Sequence, residues 1–102
     1  MATVIALYKK PTDAAAFDKY YYSTHVPLAK TLPGLRSYAV STGTIGSPAG
    51  EVPFHLVAIL TFDSMTAIQA ALVSPQGVAT AGDFGNFAQA GVELLMFDTK
   101  EV

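Results

Sequence analysis

The chain has 102 residues, 51% of them hydrophobic and 14% charged, with a net charge of −2. That length suits one domain spanning residues 1–102, and the apolar fraction is enough to build its core without metal or disulfide staples. Cysteine is absent, which excludes disulfides and thiolate chemistry, and only Lys9 and Lys10 adjoin among the basic residues, so no basic stripe is available for nucleic-acid phosphates.

Thr3 to Tyr8 (TVIALY) reads as a strand, stopped by Lys9, Lys10 and Pro11. No basic region precedes it, so MATVIALYKK is not a signal peptide. Apolar runs such as Leu56 to Leu60 fall far below the roughly 20 residues of a membrane span. The expected location is cytoplasmic. Asp13 or Thr12 caps a helix whose apolar positions, Ala14, Phe17, Tyr21, Leu28 and Leu32, share one face. Pro27 disfavours helical geometry at Val26 and predicts a kink there.

Leu32-Pro33-Gly34 closes the segment. Leu35 to Thr44 (LRSYAVSTGT) alternates as a strand, Gly46 to Gly50 is a loop, and Phe54 to Phe62 is the strongest strand. Asp63 or Ser64 caps a second helix over Met65 to Val73, ended by Ser74-Pro75. Gln76 to Gln89 holds short helical turns, one of them capped by Asp83. Gly91 to Asp98 is the last strand.

The order strand, helix, strand, strand, helix, strand predicts an α+β fold of the ferredoxin-like βαββαβ type, with a four-stranded antiparallel sheet and both helices on one face. The other face ought then to be polar. Instead both faces are apolar: Phe54, Leu56, Ala58, Leu60 and Phe62 on one, and Val57 and Ile59 with His55 on the other. Exposed aliphatic side chains cost roughly 1.5–3 kcal/mol each relative to burial. The open face is therefore expected to pair with a second copy as a homodimer, or else to be covered by Gln76 to Gln89.

Tyr20 to Ala29 (YYYSTHVPLA) runs an aromatic-rich helix into His-x-Pro-Leu, preceded by Phe17-Asp18-Lys19-Tyr20-Tyr21. With the second strand at Leu35 to Tyr38 and the segment Asp83-Phe84-Gly85-Asn86-Phe87, this pattern resembles the EthD-like family of dimeric α/β barrels. The resemblance implies a pocket between helices and sheet within each subunit. It also implies an association with oxidative ether degradation beside a cytochrome P450 system. Wider relatives of that barrel include lactone isomerases, polyketide cyclases, cofactor-free monooxygenases and haem-degrading enzymes.

His25 lies at the border of the apolar helix face, with Tyr21 and Tyr22 as its helical neighbours. A neutral imidazole there could deprotonate a weakly acidic carbon or hydroxyl; alternatively it bonds a carbonyl freed by Pro27. His55 could line the pocket, sit in the dimer interface, or be a partly exposed strand residue. Tyr8 and Tyr38 could offer hydroxyls to a ligand or serve as core aromatics with a wet tip. Asp18, on the same side as His25, could orient it. Glu93 is either functional or an edge residue. Two histidines without a carboxylate pair make a poor metal site, and neither a metal nor a cofactor is expected.

Phosphate-loop, nucleophile-elbow and RNA-recognition motifs are lacking. Besides a purely structural role, two functions remain. One is a cofactor-free enzyme or enzyme component acting on a small hydrophobic ligand by proton transfer, of isomerase, cyclase or monooxygenase type. In it His25 is catalytic, and Tyr21, Tyr22, Tyr8, Tyr38 and His55 bind the substrate. The other is a non-catalytic accessory or carrier module beside a partner oxygenase.

Overall fold

A computed structural model describes residues 1–102. Strand β1 (Ala2–Lys9) leads through Asp13, whose carboxylate accepts from Ala16 N–H at 3.0 Å, into helix α1 (Ala14–Tyr20). The helix continues as a π-helical turn over Tyr21–His25 and then as α2 (Val26–Ala29), with Pro27 in its first turn. The disturbance expected at Pro27 thus takes the form of a widened turn just ahead of it. Such turns often accompany functional sites.

Gly34, at φ 79°, makes the reversal that delivers the chain to β2 (Ser37–Val40). This strand is shorter than the alternation of Leu35 to Thr44 suggested, because its pairing with the strand Phe54–Phe62 ends at Ser41, whose hydroxyl accepts from Val57 N–H at 2.9 Å. The expected loop at Gly46 to Gly50 carries a small hairpin, β3 (Gly46–Ser47) and β4 (Gly50–Glu51). Next come β5 (Phe54–Phe62) and α3 (Met65–Val73), capped by Ser64; Asp63 instead forms a two-bonded ion pair with Arg36.

Ser74 ends α3 and caps α4 (Pro75–Gly82), which replaces the short turns expected there. Gly77 sits so close to the end of α3 that an added Cβ would lie 2.1 Å from the Ala71 carbonyl oxygen. A short α5 (Phe84–Phe87) leads to β6 (Val92–Asp98).

The main sheet runs β2–β5–β1–β6, every neighbouring pair antiparallel, as the βαββαβ order requires. All helices lie on one face. Val4, Ala6, Tyr8, Leu56, Ala58, Leu60 and Phe62 meet Phe17, Tyr21, Ile68, Ala71 and Phe87 there in a single core. Residues 76–89 pack on this side, so they do not cover the open face, where Ile59, Leu95 and Phe97 are 41%, 53% and 41% exposed. The molecule is accordingly flat, 35 × 35 × 17 Å. No helix is long and apolar enough to cross a membrane.

One irregularity bears on the site. The β1–β5 register steps from Tyr8↔Leu56 to Lys9↔Phe54, leaving His55 as an extra residue on β5. Simple alternation puts His55 with Val57 and Ile59. The bulge turns it instead to the helix side, edge-on to Phe17 at 5.0 Å and 2.7 Å from Asp18.

Candidate active site

Between helices and sheet lies a cavity of about 80 Å³, almost entirely apolar, lined by Ala6, Leu60, Phe84 and other core groups around Tyr8, Tyr38 and His25. His25 is 2% exposed. The widened turn and α2 carry it against Phe84 and Phe87, at ring distances of 5.4 and 4.7 Å.

Its partner is not Asp18 but Asp83, 58 residues further along the chain: His25 Nδ1 donates to Asp83 Oδ2 at 2.9 Å. Nor does it bond a carbonyl released by Pro27. The Asp83 carboxylate does not cap α5, as its position suggested, but accepts two further bonds at Oδ1, from Tyr20 O–H at 2.6 Å and Asn86 N–H at 3.0 Å. Burial pushes Asp83 upward, yet the bonds from Tyr20, Asn86 and His25 outweigh it and hold the carboxyl below its usual value. Burial in turn lowers His25, against the opposing pull of Asp83, so its ring is neutral at neutral pH.

With the Nδ1 proton held by Asp83, Nε2 carries the lone pair. No protein group bonds Nε2, and no fully enclosed side-chain nitrogen or oxygen in the molecule lacks a partner. Nε2 is therefore not sealed in, and His25 is one of the residues lining the cavity.

The phenols complete the polar inventory. Tyr21 is fully buried behind the cavity and shares a hydrogen bond with Tyr38, hydroxyl to hydroxyl. Burial raises Tyr8, Tyr21 and Tyr38 above the ordinary phenol value, so each remains a proton donor. Tyr8 packs edge-on to Phe17 and Tyr21.

Thus Tyr8, Tyr38 and His25 gather at the cavity and Tyr21 supports them. Tyr22, 48% exposed, and His55 line a separate surface groove. Glu93 is exposed on the edge strand. Asp83, Tyr20 and Asn86 are the members that sequence reasoning missed. The one available signal was a carboxylate in an otherwise aromatic segment, Asp83-Phe84-Gly85-Asn86-Phe87.

Residues 9–91 match the EthD domain family. The chain is 38% identical over 103 residues to an uncharacterised 11.0 kDa protein from the thcB–thcC intergenic region of Rhodococcus erythropolis, covering 100% of this chain and 98% of that one. It is 37% identical to an ethyl tert-butyl ether d family protein from Bacillus halodurans, whose crystal structure superposes with a TM-score of 0.88 over 98% of this chain and 99% of that one. At 16% identity, SnoaB, a cofactor-independent oxygenase from Streptomyces nogalater, has the same fold, with a TM-score of 0.69 over 99% of this chain and 94% of its own. Breadth of coverage and level of identity agree with the tyrosine–histidine–proline signature: the chain belongs to the EthD family.

Proposed function

We propose that the chain acts as one EthD-type domain that binds a small, mostly apolar organic compound in the helix-side cavity and transfers a proton on it, with His25 as the base. The observation that carries this reading is the His25–Asp83 bond, which fixes the proton on Nδ1 and leaves Nε2 bare toward an apolar space. Nε2 would take a proton from an acidic C–H or O–H of the ligand. The electron pair left behind would move onto a ligand oxygen, which Tyr8 or Tyr38 would stabilise by donating an O–H. Tyr20, Asp83 and Asn86 would position the imidazole.

At about 80 Å³ the cavity accepts only the reacting end of a ligand, well below the roughly 300–1,000 Å³ that encloses a whole small molecule. The remainder would emerge past Leu72 and Leu94, which line the cavity and are 38% and 45% exposed.

The test is a thermal-shift screen of wild type and His25→Ala against lactones, β-dicarbonyls, small aromatics and ethers. A ligand at about 100 times its dissociation constant adds roughly 2.7 kcal/mol. Stabilisation that disappears in His25→Ala, followed by turnover that disappears with it, is the expected result. Binding and turnover unaffected by the substitution would overturn the reading. Binding without turnover by either protein would favour an accessory or carrier role beside an oxygenase.

We also infer a homodimer through the open sheet face. The accessible surface is 6106 Å², against about 5,500 Å² for a folded monomer of this mass. The excess fits the apolar Ile59, Leu95 and Phe97 left uncovered. Light scattering should give twice the chain mass, and Ile59→Asp should reduce it to one; a monomeric wild type would sink the inference.

A further inference from the structure

At the Lys10–Phe54 end of the sheet lies the groove of about 600 Å³, large enough for a whole small molecule. The His25 reading makes no use of it. Phe17 partitions the two spaces, stacking on Tyr21 at 5.8 Å on one side and meeting His55 edge-on at 5.0 Å on the other.

Three features say what the groove would accept. Its charged groups are already engaged: the Asp18 carboxylate accepts from His55 Nε2–H at 2.7 Å, and Lys10 meets Glu51 at 3.7 Å. An anion or cation would have to break one of these pairs or surrender its own hydration uncompensated. Next, the groove offers flat apolar wall in the half-exposed ring of Tyr22 and in Phe54. Last, it offers hydrogen-bonding groups with no protein partner: Nδ1 of His55 and the hydroxyls of Thr42 and Thr44. With Nε2–H directed at Asp18, Nδ1 is an acceptor awaiting a donor. The β5 bulge brings this ring to the groove; regular pairing would have left it on the open face.

We propose that the groove is a second ligand site, for an uncharged molecule with a flat apolar body and at least one hydroxyl group. The hydroxyl donates to His55 Nδ1 and the body rests on Tyr22. The site stands independently of proton transfer at His25.

The test is titration of the isotope-labelled full chain by NMR with three probes, naphthol, naphthalene and naphthoate. Naphthol should shift the amide signals of residues 41–45, Tyr22 and His55 saturably, binding about tenfold more tightly than either other probe. His55→Leu should bring naphthol down to the affinity of naphthalene. Should that variant not fold, Tyr22→Ala at the half-exposed ring carries the test and should weaken naphthol and naphthalene alike. Naphthoate binding as tightly as naphthol would overturn the proposal. So would shifts confined to His25, Tyr38 and Phe84, no shift at millimolar probe, or naphthol affinity unchanged in the folded variants.

Discussion

Two histidine–aspartate pairs lie on either side of Phe17, with nearly the same contact distance, 2.9 Å for His25–Asp83 and 2.7 Å for His55–Asp18. Their surroundings differ. The side chains of the first pair are 3% and 7% exposed, and Asp83 accepts two more bonds; those of the second are 23% and 48% exposed, and His55 is the one partner of Asp18. A buried carboxylate with three donors fixes a tautomer, because any other proton arrangement leaves a group unsatisfied where water cannot help. An exposed pair orients a ring while solvent keeps the alternatives affordable. Geometry alone therefore does not make a dyad; the number of donors and the exclusion of water do.

Substituting the two aspartates should separate the pairs most strongly. Asp83→Asn keeps shape but loses the charge, and its amide would donate to His25 Nδ1, driving the ring proton to Nε2. We expect a stability loss of about 2–4 kcal/mol by denaturant titration. Turnover should fall by roughly a thousandfold or more once a substrate is known. Nitrogen chemical shifts of the imidazole would report the switched tautomer. Asp18→Asn should cost about 0–1 kcal/mol and leave the His25 tautomer unchanged. Equal losses from the two substitutions would break the comparison.

Acid titration gives a smaller effect with a definite sign. The unfolded chain protonates His25 as pH falls through the ordinary value of 6.5, whereas burial keeps the folded ring neutral to lower pH. In that window the unfolded state binds more protons, so the contribution of neutral His25 is complete above 6.5 and is lost as pH drops toward its folded value. Asp83, held below 3.8 in the fold, adds a second loss below that pH. Denaturation midpoints across the acid range should therefore decline in two stages, and the second should shrink in Asp83→Asn to the part left by Asp63, which Arg36 also holds low. A midpoint flat through the upper window would mean that His25 is not held neutral.

Much of the molecule was legible because its signals are local. The alternation of Phe54 to Phe62 marked β5, and the β-branched run of Thr3 to Tyr8 marked β1. Asp13 and Ser64 were readable as caps because a cap acts within three residues. The His-x-Pro-Leu segment marked the family and with it the fold. Less local features did not show. Alternation assigns a face only while the register is regular, so the bulge at His55 reversed the reading. The helix over Pro75–Gly82 was obscured by Gly77, whose missing side chain lowers helix propensity but permits close approach to the end of α3.

By itself the sequence determined the element order, the two-sided hydrophobicity of the sheet and the family signature around His25, since periodicity, punctuation and short motifs are properties of neighbouring residues. Only the tertiary structure decided which carboxylate serves which histidine. Asp18, seven residues from His25 in the chain, went to His55, and Asp83, 58 residues away, came to His25. The reason is that the direction of a side chain depends on strand register and helix winding summed along the whole chain, and the bulge at His55 and the widened turn at Tyr21–His25 each redirect a ring after local spacing has had its say.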